Sequence, residues 1–246
     1  CHCRARPMRE PAPSLGEELR AAARETPDRT FLRMQGVELS FSQVNALSDT
    51  LAQTLAAQGV VRGDRVSLML PNCAEFVVIW FALAKLGAVT APVNTAFRGQ
   101  VLRNAIDLVD SRLLFVHASL RAQWQEQVPV LATVRRLVLV GGEASWDNAG
   151  TEVLHYDELL RAATPGSVPE TAVAPSDLCL LLYTSGTTGR SKAAMMAHRF
   201  VLSQADGVIA GLGLHSDDVL YCPYPLFHLD AAVMTVAPAL RLRCVA

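Results

Sequence analysis

The sequence predicts an α/β fold in which doubly wound sheets carry helices on both faces. Short runs of apolar residues alternate along the chain with longer segments whose apolar residues recur at helical spacing. Short, nearly continuous apolar strands are typical of a parallel sheet that is covered on both sides. The composition agrees, because 51% hydrophobic residues with only 6% aromatic residues favour an α/β protein over a β-sandwich.

Two early helices are predicted from capping boxes, in which a serine and a Glu or Gln three residues later satisfy free backbone N–H groups. The two pairs are Ser14 with Glu17 and Ser40 with Gln43. The first helix is predicted to run to Arg24 and the second to end at Gly59. A short hairpin with strands at 31–34 and 37–39 is predicted between them.

Strands and helices then alternate along the rest of the chain. Strands are predicted at 65–70, 89–93, 113–116, 137–140 and 178–183, and helices at 74–86, 100–109 and 120–127. The helix at 74–86 is apolar on nearly all sides, so it is predicted to lie in the core.

A proline-rich stretch divides the chain. Residues 164–176 contain three prolines and no periodicity, which predicts a surface linker. We therefore expect a disordered N-terminus at 1–13, a first α/β subdomain at 14–163, and the start of a second, incomplete α/β subdomain at 177–246.

Charge and composition argue against several classes of partner. The formal net charge of −1 gives no support for binding nucleic acid or an anionic membrane. The apolar run at 76–84 is far shorter than the roughly 20 residues of a membrane-spanning helix. The six cysteines lack the spacing of a zinc site, so we expect a reduced, cytoplasmic protein with no integral membrane segment.

The segment that follows the strand at 178–183 has the composition of a phosphate-binding loop. Two hydroxyl-bearing residues followed by a glycine occur twice in succession there, in Thr184, Ser185, Gly186, Thr187, Thr188 and Gly189. Small residues let successive backbone N–H groups close around an anion, and Lys192, one of only two lysines, adds a positive charge. A flexible polar loop is the alternative interpretation. The Walker spacing and the GxGxxG pattern are both absent from the sequence.

Three segments resemble one family. YTSGTTGRSK at 183–192 resembles the phosphate-binding signature of the adenylate-forming superfamily, which includes acyl-CoA synthetases, peptide-synthetase adenylation domains and firefly-type luciferases. PYPLFHLDAAV at 223–233 is similar to its turn beside the acyl pocket, and residues 63–94 are similar to its N-terminal stretch. Ser191 and Ala193 stand where the family usually has Pro and Gly, which would loosen or strain the loop.

The resemblance implies ATP-dependent activation of a small carboxylic acid and transfer of the acyl group to CoA, with Mg²⁺ as cofactor. Residues 184–189 would hold the β- and γ-phosphates, and the Thr184 hydroxyl would also touch the magnesium. Lys192 would add positive charge at the phosphates, and His228 would lie at the carboxylate end of the acyl pocket. A histidine that is merely hydrogen-bonded near a turn is the alternative for His228, whereas His198 is expected to cap the following helix.

The resemblance covers only the N-terminal part of the family. The adenine-binding segment, a ribose-binding Asp and a C-terminal domain with a catalytic Lys would follow residue 246, so we expect a truncated chain that is inactive alone. Carnitine- or crotonobetaine-like and medium-chain acids are the favoured substrates. The alternatives are an adenylation domain that loads a carrier protein, which the downstream sequence would reveal, and a non-catalytic fragment.

Overall fold

The computed structural model describes residues 10–128, 131–142, 151–162, 171–184 and 192–246. Nine strands are formed by these residues: β1 (Thr30–Met34), β2 (Val37–Ser40), β3 (Arg65–Met69), β4 (Val89–Pro92), β5 (Leu113–His117), β6 (Arg136–Val140), β7 (Glu152–His155), β8 (Leu178–Thr184) and β9 (Lys192–Ala197). Strands β1 and β2 pair with each other, and the others form a seven-stranded sheet in the order β7-β6-β5-β3-β4-β8-β9. All neighbours in this sheet are parallel except β8 and β9.

Helices connect these strands. In the described residues they are α1 (Leu15–Glu25), α2 (Phe41–Ala57), α3 (Ala74–Leu86), α4 (Gly99–Leu108), α5 (Arg121–Trp124), α6 (Tyr156–Arg161), α7 (His198–Leu212), α8 (Leu229–Ala231) and α9 (Ala237–Leu242). A 3-10 turn at Ala118–Leu120 precedes α5, and a π-helical turn at Ala232–Val236 joins α8 to α9.

The helices cover both faces of the sheet, which confirms the predicted fold class. The larger core combines α3, buried along almost its whole length, with residues of α1, α2, α6, α7 and α9. The smaller core packs Leu102 and Ile106 of α4 and Trp124 of α5 against the opposite side of β3, β5 and β6. We call these two sides the α3 face and the α4 face.

Some predicted elements differ from those in the structure. The helix predicted at 120–127 is shorter, since a 3-10 turn takes its first residue and α5 ends at Trp124. Strand β7 and helix α6 were not predicted, because four half-exposed residues and a helix of fewer than two turns show too little periodicity. The helix predicted at 74–86 is confirmed at both ends. At its C-terminal end Gly87 takes a left-handed conformation (φ +68°).

Strand β8 belongs to the same sheet as the strands that precede the predicted linker. It pairs in parallel with β4, with Thr90 beside Leu180, so residues on both sides of the predicted linker build the same sheet. Residues 163–170 of that region lie outside the described residues, as do residues 1–9 of the predicted disordered terminus. The predicted division into subdomains stays a prediction.

Helix α3 lies in the core, as predicted, and α1 packs closely against it. A β-carbon built on Gly16 would lie 2.8 Å from Cγ of Lys85. The Lys85 side chain is fully buried, and its Nζ donates to acceptors of α2, among them Asp49 Oδ1 at 2.7 Å. Burial lowers the pKa of Lys85 to about 8, although the charge of Asp49 opposes this shift.

Among the described residues, no helix combines the length and the apolar character that crossing a membrane would require. The predicted cytoplasmic location stays a prediction.

Candidate functional site

The hairpin of β8 and β9 carries the predicted phosphate loop. The middle of β8, Cys179–Leu182, is buried, while Thr184 at its end is exposed. Lys192 is the first residue of β9, is also exposed, and pairs directly with Thr184 in the antiparallel register. The predicted loop is therefore shorter than 184–192, because both of its end residues belong to strands.

The predicted cradle residues Ser185, Gly186, Thr187, Thr188 and Gly189 lie outside the described residues. Their role in binding phosphate stays a prediction. The segment that contains them begins after Thr184 of β8 and ends before Lys192 of β9, and these two strands pair with each other.

Thr184 and Lys192 project toward the α3 face. Side chains alternate along a strand, and directly opposed residues of an antiparallel pair share a face. Leu180 and Leu182 of β8 pack in the core of the α3 face, and Thr184 continues that alternation. Tyr183 points the other way, and its hydroxyl donates to the Ala105 carbonyl of α4 at 2.7 Å. Burial raises the pKa of Tyr183.

His228 lies in a turn at the beginning of α8. Its backbone N–H donates to the Pro225 carbonyl at 2.9 Å, and its ring lies 4.8 Å from that of Phe227. The side chain is exposed. Within the described residues, no hydrogen bond or ring contact joins His228 to Thr184 or Lys192.

Asn72 connects this turn to the central sheet and was not among the predicted site residues. Its Nδ2 donates to the Tyr224 carbonyl at 3.0 Å, and its Oδ1 accepts from the Leu226 N–H at 2.7 Å. Asn72 follows β3, at the edge where the parallel strands β3 to β8 have their carboxyl ends. Ligands of α/β sheets bind at this edge, so a polar residue just after a strand was the available signal.

The carboxyl edge therefore gathers, from distant parts of the chain, those predicted site residues that the structure describes. Thr184 ends β8 there, Lys192 lies opposite Thr184, and Asn72 brings the turn of His228 to β3, which is separated from β8 only by β4. Leu226 of the turn packs in the core of the α3 face, the face toward which Thr184 and Lys192 project. The Thr184 hydroxyl group, the Lys192 ammonium group and the turn that carries the His228 imidazole thus lie at one edge of the sheet.

A cleft of about 350 Å³ lies beside the same turn. Its lining is mostly apolar and includes Met34, Asn72, Tyr221, Leu226 and Val236. Such a lining suits an apolar group better than a phosphate.

Thr184, the residue predicted to contact magnesium, lies among the described residues at the end of β8. No group of three or more His, Cys, Asp and Glu side chains in the described parts of the chain is placed to bind a metal ion. Thr184 contributes a single hydroxyl oxygen, whereas magnesium in phosphate-transfer sites is commonly held by one or two carboxylates together with substrate phosphates. The predicted contact of the Thr184 hydroxyl with magnesium stays a prediction.

His198 does not cap α7, contrary to the prediction. The residue before the helix is Ala197, which makes no side-chain cap, and His198 itself is buried in the first turn. Its Nδ1 accepts from the Leu15 N–H of α1 at 3.2 Å. Burial lowers the pKa of His198 to about 4, with Asp177 opposing the shift, so the ring is neutral at pH 7. His198 joins two helices and is not part of the candidate site.

Comparison with known proteins assigns these features to one family. The family model described as "AMP-binding enzyme" matches residues 19–245. The chain is 30% identical over 207 residues to the long-chain-fatty-acid–CoA ligase FadD13 of Mycobacterium tuberculosis, covering 83% of this chain and 39% of that protein. It is 34% identical over 238 residues to 4-coumarate–CoA ligase 2 of Oryza sativa subsp. japonica, covering 92% and 42%.

A solved structure agrees with this assignment. The inhibitor-bound N-terminal domain of FACL13 from Mycobacterium tuberculosis superimposes with a TM-score of 0.78 at 26% identity, over 95% of this chain and 57% of that one. The chain thus spans about two fifths of the length of the curated relatives named above.

Proposed function

The chain belongs to the AMP-binding enzyme family, and from this membership we propose that its protein activates a carboxylic acid with ATP and transfers the acyl group to coenzyme A. The observation that carries the proposal is the β8–β9 hairpin. It presents a segment rich in hydroxyl groups and glycine, with Thr184 and Lys192 at its two ends, at the carboxyl edge of the sheet.

The reaction has two steps. A carboxylate oxygen attacks the α-phosphorus of ATP, the bond from that phosphorus to the bridging oxygen breaks, and pyrophosphate leaves with the electron pair. The thiolate sulfur of CoA then attacks the acyl carbon, and the carbon–oxygen bond to AMP breaks. Magnesium, when bound, would screen phosphate charge in the first step.

The protein groups act by positioning two anions and by stabilising charge. The carboxylate and the triphosphate repel each other, so the first step needs preorganised positive charge and hydrogen-bond donors near the phosphates. Lys192 supplies an ammonium group with three donors, and the backbone of residues 184–189 supplies N–H groups. Both groups belong to one hairpin, whose strand β8 is held between β4 and β9 in the sheet.

The proposed position of His228 at the acid rests on its place at the same edge. Its side chain is exposed, and Leu226 of the same turn packs on the α3 face, toward which Thr184 and Lys192 project. An imidazole there can donate a hydrogen bond to the acid's carboxylate and hold it in line with the α-phosphorus.

The relatives support CoA as acceptor but not one kind of acid. One is named for a long-chain fatty acid and another for 4-coumarate, an aromatic acid. We therefore propose that the substrate is an aliphatic or an aromatic carboxylic acid. Medium-chain acids and carnitine- or crotonobetaine-like acids remain among the candidates.

The test is acid-dependent exchange of pyrophosphate into ATP by the complete natural protein. We expect exchange with at least one acid of a panel of fatty acids from 6 to 18 carbons, 4-coumarate and crotonobetaine, followed by a CoA thioester detected by mass spectrometry. Absence of exchange with every acid would contradict the proposal. Exchange without thioester would instead indicate a different thiol acceptor, such as a carrier protein.

A further inference from the structure

We infer that Asn72 is a positioning residue. It fixes the turn of residues 223–228 at the carboxyl edge and thereby lowers the KM for the acid. This inference rests on the proposed function, because it assigns His228 to the acid. Asn72 itself is not expected to touch a substrate.

The first support is the geometry of the contact. The side-chain amide of Asn72 both donates and accepts, to Tyr224 O at 3.0 Å and from Leu226 N at 2.7 Å. A primary amide can donate to the carbonyl of residue i and accept from the N–H of residue i+2. A residue of a parallel neighbouring strand makes the same two hydrogen bonds with its backbone. The two hydrogen bonds cross more than 150 residues of sequence, with separations of 152 and 154.

The second support is the rigidity of the residue that makes the contact. Asn72 stands between β3, in the middle of the sheet, and α3, whose residues are almost all buried. Its backbone is therefore held on both sides. The contact transmits the position of the sheet to the turn.

The third support is that His228 depends on its backbone for its position. The side chain is exposed, and the ring contact with its neighbour Phe227 cannot hold the turn in place. Leu226 anchors the turn in the core by its side chain, being 2% exposed, while Asn72 holds it by the backbone. Loss of the Asn72 contact leaves one anchor, about which the turn can rotate.

The variant Asn72→Ala removes both hydrogen bonds, and Asn72→Asp keeps the acceptor while it places negative charge against the Tyr224 carbonyl. In pyrophosphate exchange by the complete natural protein, we expect the KM for the acid to rise about tenfold or more in both variants, the size of effect that losing such hydrogen bonds produces. The KM for ATP should stay within about twofold, because Thr184 and Lys192 do not depend on the turn.

Asn104→Ala is the matched control, since Asn104 is exposed and bonds to Gln100 within α4. Hydrogen exchange of the Leu226 amide provides a readout that does not need activity, and it should speed up about tenfold or more in Asn72→Ala. Unchanged exchange at Leu226, an unchanged KM for the acid, or an equal rise in both KM values would each overturn the inference. Faster exchange at Leu226 in a protein whose wild type activates no acid would overturn the proposed function, and this inference with it.

Discussion

At the scale of single residues, burial decides what each of the two lysines does. Lys85 is fully buried and satisfied by acceptors of α2, among them Ser48 Oγ at 2.8 Å and Asp49 Oδ1 at 2.7 Å. Lys192 is exposed at the start of β9, on the side from which an anion in solvent would approach. The same residue type thus ties two helices together in one place and is available to a ligand in the other.

Replacing Lys192 by alanine should slow acid activation far more than it weakens binding of the acid. A charge directed at the phosphates acts mainly in the transition state, where its loss costs roughly 10²–10³ in rate. Pyrophosphate exchange at saturating acid measures this. Arg199→Ala, which removes one positive charge from an exposed position of α7, should leave the rate within about threefold. Equal effects of both substitutions would remove Lys192 from the reaction.

His198 should make the stability of the fold sensitive to mild acid. Its pKa is about 4 in the folded chain, because burial disfavours the imidazolium, and near 6.5 in the unfolded chain. Only the unfolded chain takes up the proton as pH falls from 6.5 to 4, so stability present above pH 6.5 is lost in this window. Between pH 7 and pH 5 the loss should be about 2 kcal/mol.

The variant His198→Asn tests this effect, since its amide oxygen can accept from the Leu15 N–H and does not titrate. Urea unfolding at pH 7 and pH 5 should show a smaller loss in the variant, by about 2 kcal/mol. Carboxylates that titrate in the same window affect both proteins equally. An identical loss in both would show that His198 is not the group responsible.

At the scale of secondary-structure elements, the approach of α1 to α3 depends on one glycine. Gly16 is buried, and a β-carbon there would meet Lys85 Cγ at 2.8 Å and Lys85 Cα at 3.2 Å. The Lys85 Cα belongs to the backbone of α3, which is packed on nearly all sides, so it cannot move away from an added β-carbon. Gly16 has an ordinary helical backbone, which any residue could adopt. Glycine is therefore favoured at this position by the space that the neighbouring helix α3 leaves, and not by backbone conformation.

Gly16→Ala should destabilise the fold by about 1–2 kcal/mol, because the strain of overpacking exceeds the gain in helix propensity. Gly207→Ala is the matched control. Gly207 lies inside α7 with open space around it, so alanine there should stabilise by about 0.5–1 kcal/mol. Urea unfolding of the two variants would give shifts of opposite sign, and a stabilising Gly16→Ala would show that the helices can separate freely.

At the scale of the whole molecule, buried ion pairs join the two ends of the described chain. Glu18 of α1 accepts from Arg243 Nη1 at 2.6 Å and from Arg241 Nη1 at 3.2 Å, with all three side chains almost fully buried. Arg243 has a left-handed backbone (φ +59°) at the end of α9, a position that usually favours glycine. Its contact with Glu18 accounts for an arginine in that position.

The C-terminal residues add a backbone contact to this connection. Ala246 donates to the Phe31 carbonyl at 2.7 Å and accepts from the Arg33 N–H at 2.8 Å, which extends the pairing of β1. The hairpin of β1 and β2 is thus attached to the C-terminal segment as well as to α2 and α3.

Glu18→Gln should destabilise the fold by about 2–4 kcal/mol, because it leaves two buried guanidinium groups with less negative charge to offset them. Glu17→Gln, one residue earlier, should change stability by less than about 0.5 kcal/mol, because Glu17 pairs with Arg20 at the surface. Thermal unfolding at pH 7 compares them. Similar effects would mean that the Glu18 pairs contribute no more than surface pairs do.

The sequence by itself determined most of the local structure, and it predicted the chemistry of the hairpin. Apolar runs predicted β3, β5 and β8 within two residues, and helical periodicity with a closing glycine predicted α3, because alternation and period reflect which side chains must leave water. The small and hydroxylated residues after β8 predicted a phosphate loop from composition alone. Strand β7 and helix α6 escaped prediction because each is too short to show a period.

Only the tertiary structure decided which distant residues meet. Local patterns determine that a strand is buried but not its neighbour, so the place of β8 beside β4 was not predictable from them. The same holds for His198 with Leu15, Glu18 with Arg243, and Asn72 with Leu226, each separated by more than 150 residues. These pairs form because packing of the two faces brings them together and because buried polar groups need partners, and neither condition is expressed in any short stretch of sequence.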